Sequence, residues 1–399
     1  MLTKSNQNKI RFIFIPATIL FSILLVFLAS ELYIRLAMPR YMWESHDPMQ
    51  DWQIDVRLGW TQKPLLHAVM RDPRDGEPIL FESNQDGVMP VWVKRSKKSG
   101  TLRIMLFGDS TVVGRSARQE GRITVLLERL VSSRGIRAEV INAGVEGYST
   151  DQELIRMQAL VPVYKPDIVA CCVTLNDLRA NVASEQYGLA KPVFILTQNK
   201  ELRYVPPDIK DTAMPGFWSG IKSLPKYSAL YKFFYPQLLK VRSTLLRWGK
   251  RPLLASYPFG DDEVCYYEPD RLKNFDWDLF VALLKQMQKT ARDNGAAFFF
   301  YLHPAVEEVS DFFIKQIQMQ RYLKEGSYDR YTLERVMRTI ATENTISFCP
   351  LIDYFLANSS RGPFYLSRRD PHANETGYLI TAERLTQFML ESGLIRAAD

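Results

Sequence analysis

Between Leu102 and Glu391, short apolar runs alternate with segments whose apolar residues recur at helical spacing, and few folds accommodate that alternation. The runs begin with Leu102 to Phe107 and continue with Arg137 to Asn142, Asp167 to Val173, Ala296 to Leu302 and Thr345 to Phe348. After the first run, Ile123, Leu126, Leu127 and Leu130 stand at helical spacing, and Phe275 to Asn294, Tyr331 to Thr342 and Asn374 to Glu391 also read as helices. Strands that alternate with helices lie parallel, because each crossover carries the chain back to the same sheet end. Five such strands predict an α/β fold, a flavodoxin-like three-layer α/β/α sandwich with a parallel five-stranded sheet. Ligands of such sheets meet the carboxyl ends of the strands, so the residues that close each run are the candidates for chemistry.

The first run stops at Gly108-Asp109-Ser110. Glycine allows a sharp bend there, which leaves the Ser110 hydroxyl at the sheet edge as a candidate nucleophile. A serine hydroxyl needs a base, and histidine has the ordinary pKa suited to that task near neutrality. The chain has four histidines. His46 and His67 precede the sheet in a polar stretch, and His303 closes the fourth run in a His303-Pro304 turn. His372 follows the last run, two residues after Asp370 and just before a helix, where a carboxylate can fix the imidazole tautomer. The second run leads into Gly144-Val145-Glu146-Gly147, whose glycines permit close backbone approach. The third ends in Thr174-Leu175-Asn176-Asp177. Backbone N–H groups of Ser110 and Gly147 with the Asn176 amide supply three donors for an oxyanion.

At these residues the chain resembles the SGNH, or GDSL-like, hydrolase superfamily, over roughly Arg103 to Arg396 with an interruption. The resemblance implies that Ser110 is the nucleophile, that Gly147 and Asn176 complete the oxyanion hole with Ser110, that His372 is the general base and that Asp370 orients it. Two positions depart from the family pattern. Thr174 stands where glycine is common before the Asn-Asp pair, and only Pro371 separates Asp370 from His372 where two residues are common.

Phe12 to Ser30 is an uncharged run close to the ~20 residues that a helix needs to cross hydrocarbon. It is expected to be a membrane span in a bacterial-type, membrane-anchored member of the superfamily. Residues 1–11 would form a cytoplasmic tail, because Lys4, Lys9 and Arg11 precede the run. The expected order is then a segment over 31–100 packed on the enzyme domain, and a hydrolase domain over 101–399 with a helical insertion at 181–270. Within that insertion, Phe217 to Lys250 mixes aromatic with basic residues, a pattern suited to a helical cap or a bilayer surface. The net charge is +7, from 51 basic and 44 acidic residues, and it is spread along the chain, which argues against nucleic-acid binding. The four cysteines show no metal-ligand spacing, and Cys171 and Cys172 are expected on opposite faces of one strand as buried thiols. No cofactor or metal is expected, and oligomeric state is left open.

The function expected from these residues is a membrane-tethered serine esterase on the periplasmic or cell-surface side. It would hydrolyse an O-acyl ester, O-acetyl on a carbohydrate, through an acyl-serine intermediate. O-acyl transfer in polysaccharide modification uses the same residues and stays open, as do a lipase or thioesterase and a non-catalytic carbohydrate-binding or scaffold protein.

Overall fold

The computed structural model describes residues 4–37, 51–209 except 73, 74, 76 and 116, residues 228, 272, 275–311, 314–315, 329–367 and 370–396. Two compact units are present, Met1–Asp47 with Ala213–Asp261, and Pro48–Thr212 with Asp262–Asp399.

The first unit contains α1, Lys4–Ala37. Ile19, Phe21, Ile23, Leu25, Val26 and Leu28 are exposed, while Ile34 near its end is buried. Near its end Glu31 accepts hydrogen bonds from Arg35 Nε at 2.8 Å and from Ser228 Oγ at 2.9 Å. Among the described residues no helix is long and apolar enough to cross a membrane. The side chains of Phe12 to Ala17 and of Leu20, part of the expected span, lie outside the described residues.

In the second unit the chain first forms two hairpins, β1 (Trp52–Asp55) with β2 (Gly59–Gln62), and β3 (His67–Arg71) with β4 (Pro78–Glu82). The sheet then begins with β5 (Leu102–Phe107), β6 (Ala138–Asn142) and β7 (Ile168–Val173). Two more hairpins follow, β8 (Glu185–Gln186) with β9 (Leu189–Ala190), and β10 (Val193–Leu196) with β11 (Leu202–Val205). Strands β12 (Ala297–Leu302) and β13 (Ser347–Cys349) complete the sheet, and β14 (Tyr365–Ser367) pairs with β15 (Asp370–Ala373) near the chain end. The five-stranded order is β6-β5-β7-β12-β13, with every pair parallel. This is the expected α/β sheet.

Alternation within the strands divides the core. Met105, Phe107, Cys171 and Phe300 face one cluster, while Ile104, Leu106, Cys172 and Phe299 face another. Helices α4 (Thr150–Tyr164), α6 (Trp277–Asp293) and α8 (Thr332–Asn344) cover the first face, taking α5 as Leu175–Ala180 and α7 as Val306–Val309. Helices α3 (Ile123–Ser132), α9 (Ile352–Ala357) and α10 (Glu375–Glu391) cover the second, and α2 is the single turn Ser110–Val113. Their apolar residues explain the layering. In α6, Phe280, Leu283, Leu284, Met287 and Ala291 are buried at spacings of three, four, seven and eleven. Cys171, Cys172 and Cys349 are buried free thiols, and Cys265 lies outside the described residues.

The helical character expected at 181–270 is not what its described part shows. Residues 181–209 fold as the hairpins β8–β9 and β10–β11, because Val193-Phe194-Ile195-Leu196 and Leu202-Arg203-Tyr204-Val205 carry strand-favouring side chains beside tight turns. The rest of the insertion, including all of Phe217 to Lys250 except Ser228, lies outside the described residues. Upstream, Trp60, Phe81 and Val88 are fully buried, so the segment before the sheet contributes to the core.

One ion pair holds the hairpin segment down. Lys191 Nζ meets Asp151 at the start of α4 with both side chains fully buried, and Ser149 Oγ donates to the same carboxylate at 2.8 Å. Burial pushes Asp151 up and Lys191 down, and each partner opposes the shift of the other. Removing one member strands a buried charge. Lys191→Met is therefore expected to lower stability by about 3–5 kcal/mol in urea unfolding, and adding Asp151→Asn should recover part of the loss.

Candidate active site

From β5 the chain crosses to β6 on one side and returns to β7 on the other, so the connections diverge beyond the shared carboxyl end of β5 and β7. A crevice at such a switch point is the usual ligand site of this sheet type. In register, β5 ends at Phe107 opposite Cys171, two residues before β7 ends, while β7 and β12 end level at Val173 and Leu302.

Gly108 makes the turn out of β5 possible. A Cβ there would stand 2.4 Å from Val112 Cγ2 and 2.9 Å from Cys172 Cβ, so only glycine fits between the two loops. Asp109 then caps α2, its carboxylate accepting from the Thr111 N–H at 2.8 Å, and Ser110 opens the helical turn. Asn142 clips the neighbouring loop to this one by donating to the Val112 carbonyl at 2.6 Å while its own carbonyl accepts from the Gly144 N–H at 3.0 Å.

His372, on β15, brings its Nε2 to 2.9 Å from Ser110 Oγ across 262 positions of sequence. The structure thus joins the hydroxyl and imidazole that the sequence singled out. Asp370 stands two residues earlier on the same strand, paired with Ser367, and its side chain lies outside the described residues. Glu146 is a second carboxylate that acts on His372. Burial raises its pKa, while the Arg115 guanidinium, paired with it, and His372 draw it back.

Gly147 takes the left-handed backbone conformation at φ +71°. Among the described residues, the backbone N–H groups of Ser110 and Gly147 and the exposed side-chain amide of Asn176 have no hydrogen-bond acceptor. Three donors are thus left unmatched along one strand edge. Thr174 fills the position expected to be glycine, and its hydroxyl lies 3.0 Å from Asp177 and 3.3 Å from Asp109, linking the β7 loop to the β5 loop. Below it, burial first and then the Asp109 charge push Asp177 well up, and burial and Asp177 do the same to Glu153.

Sequence reasoning missed the groups that hold the Gly147 turn. Trp60 Nε1 donates to the Glu146 carbonyl at 3.0 Å, and Tyr148 Oη donates to the Trp60 carbonyl at 2.6 Å. Arg156 donates to the carbonyls of Ala143 at 2.8 Å and Gly87 at 2.7 Å. Only the Leu58-Gly59-Trp60 cluster hinted at this role, as a turn. Tyr187 was also missed. It packs on Gly147, where an added Cβ would lie 2.2 Å from Tyr187 Cε2.

His303 closes β12 beneath the site. Its ring lies edge-on to Phe355 at 6.2 Å and Tyr365 at 5.9 Å, and neither ring nitrogen has a hydrogen-bond partner among the described residues. Burial, then the nearby His372, depress its pKa to about 3. It packs as a neutral ring.

Residues 106–233 match the model of the GDSL-like Lipase/Acylhydrolase family, which supports an acylhydrolase of that type. Solved structures similar to the chain include an acetyl xylan esterase, AlAXEase, at 15% identity, covering 74% of this chain and 100% of that one with a TM-score of 0.35. A second is the Clostridium thermocellum family 3 carbohydrate esterase, at 11% identity, coverages of 73% and 96% and a TM-score of 0.36. A third is the Enterococcus faecalis lipase/acylhydrolase, at 12% identity, coverages of 75% and 99% and a TM-score of 0.35. No curated protein matches the chain.

A histidine depressed on folding binds its proton more readily when unfolded, so His303 subtracts stability as pH falls below 6.5 and until it reaches about 3. In that window the slope from this group approaches 1.4 kcal/mol per pH unit, about one proton's worth. His303→Phe should flatten the acid limb of a stability–pH curve by that much. An unchanged limb would show that His303 protonates freely in the folded protein.

Proposed function

We propose that this chain is a serine esterase that cleaves an O-acyl ester through an acyl-serine intermediate, with Ser110 as nucleophile and His372 as general base. The observation that carries this reading is the 2.9 Å contact between His372 Nε2 and Ser110 Oγ at the carboxyl edge of the sheet, the edge from which the loops of Gly147 and Asn176 also leave. A hydroxyl within hydrogen-bond reach of a base, next to free donors, is the arrangement that acyl transfer requires.

The steps follow from that geometry. Ser110 Oγ bonds to the ester carbonyl carbon as its proton passes to His372 Nε2, and the carbonyl oxygen, now anionic, receives the three donors. The bond from carbon to the alcohol oxygen then breaks, and the imidazolium returns the proton to the departing alcohol. Water repeats the sequence in reverse roles. It loses a proton to His372 and attacks the acyl carbon; the bond to Ser110 Oγ breaks as the imidazolium returns that proton to it, releasing a carboxylic acid and the free Ser110 hydroxyl. Asp370, and Glu146 through its charge, stabilise the imidazolium that exists between these events.

The acyl group in this reading is acetyl and its alcohol a carbohydrate. The catalytic unit is held at a membrane by α1 and faces the extracytoplasmic side. In support, the apolar side chains described between Ile19 and Leu28 are exposed around the helix, and a helix stretch apolar all round belongs in a protein core or a membrane. The basic residues before Phe12 favour a cytoplasmic amino end.

Turnover of a chromogenic acetyl ester tests the proposal. Ser110→Ala and His372→Ala are each expected to lower kcat about 10³-fold or more with the fold intact, while His303→Ala keeps most of the rate. Full activity in Ser110→Ala, or a loss in His303→Ala equal to that in His372→Ala, would assign the chemistry elsewhere.

A further inference from the structure

Tyr187 and Gly188 form the two-residue tip of the β8–β9 hairpin, with Gln186 paired to Leu189 on either side. Both tip residues have left-handed backbones, Tyr187 at φ 55° and Gly188 at φ 75°. A tight hairpin of this kind calls for positive φ at both positions, and Asn-Gly is the sequence that meets the demand at least cost. Tyrosine is poorly suited to the first of them. A bulky residue held at a positive φ points to a task for its side chain, because local strain is retained where the surrounding structure enforces it.

The hairpin is anchored at its far end. Lys191 is ion-paired with Asp151 in the core, and the Lys191 N–H donates to the Ser184 carbonyl at 2.8 Å. Gly59 admits the strand closely, since a Cβ at Gly59 would stand 2.1 Å from the Ala190 carbonyl oxygen. The Tyr187 ring is thus held against the Gly147 turn by one edge and backed by Trp52 and Trp60, whose ring centroids lie 6.0 Å and 6.4 Å away. Trp52 and Trp60 are buried, yet Tyr187 remains 60% exposed. A rigid aromatic ring, open to solvent on one side, therefore borders one of the three oxyanion donors.

An ester whose carbonyl oxygen meets the Gly147 N–H lies beside the Tyr187 ring, which packs on that turn. A flat aromatic surface there favours a partner with a flat, weakly polar surface of its own. A pyranose ring has one, in the C–H bonds of a single face, while its hydroxyls remain in water. We propose that Tyr187 is a substrate-binding residue on which the sugar ring of an acetylated carbohydrate stacks, orienting the ester for attack by Ser110. This inference rests on the esterase reading and names the group that selects the alcohol.

The test replaces Tyr187 by asparagine, which removes the ring and keeps a residue that the turn accepts. Two measurements are made on the full chain, with a mono-O-acetylated methyl pyranoside and with ethyl acetate. In a Ser110→Ala background, binding of the pyranoside is read by titration calorimetry. Tyr187→Asn is expected to weaken it about tenfold, and Tyr187→Trp to keep it within about twofold. With Ser110 present, the KM for the pyranoside should rise about tenfold more than the KM for ethyl acetate, with kcat for the pyranoside falling less than KM rises. Unchanged pyranoside binding in Tyr187→Asn, or equal rises in KM for both esters, would overturn the inference while leaving the esterase reading in place. The binding measurement needs no turnover. A chain that hydrolyses neither ester would therefore fail the esterase reading, while the calorimetry would still decide whether Tyr187 holds the sugar.

Discussion

The parallel pairing of β5 with β7, which sets their carboxyl ends side by side, is the constraint on which the rest of the site depends. Two loops leave those ends in different directions, and the side chains that tie them together are short. Thr174 reaches from one loop to Asp109 in the other, Asn142 joins the β6 loop to α2, and Gly108 leaves room for the side chains of Val112 and Cys172. A slip of one residue in the parallel register would turn each strand's side chains to the opposite face and bring different residues to the edge. The two buried clusters on either side of the sheet resist such a slip, because each accepts only alternate residues of β5, β7 and β12.

The histidine arrives by another route. It is carried by a short hairpin near the chain end, β14 with β15, directly before α10, and α10 is packed through Tyr378, Leu385 and Met389 in the cluster that also contains α3. The core on one face of the sheet therefore positions His372 relative to Ser110. The opposite face and the early hairpins set the Gly147 turn, through Trp60, Tyr148 and Arg156. Separate parts of the core thus hold the Ser110–His372 contact and the Gly147 turn.

Much of this was legible in the sequence. The five runs match the strands in order; β5, β7 and β12 stand out because burial on both faces leaves a nearly continuous apolar signature, while the edge strands β6 and β13 keep polar residues. The pairing of Ser110 with His372 could be read from the turn that ends the first run and from the segment after the last one. The hairpins at 181–209 were not legible as such, since short strands among prolines carry little periodic signal and their pairing is settled by buried contacts such as Lys191 with Asp151. The boundary of α3 is hidden for a related reason. Gln119–Gly121 forms a separate 3₁₀ turn, and Arg122 is extended at ψ 146°, with Gly121 seated against Glu375 of α10. Trp60 and Tyr187 act through contacts with residues distant in sequence, which no local pattern announces.

The central claim is that Ser110 becomes acylated, and mass spectrometry of the intact chain and its peptides, quenched during reaction with an acetyl ester, tests it most directly. The account predicts a single added acetyl group on the peptide that contains Ser110, absent in Ser110→Ala. An acetyl group trapped on a different side chain, with Ser110 unmodified while product accumulates, would contradict it.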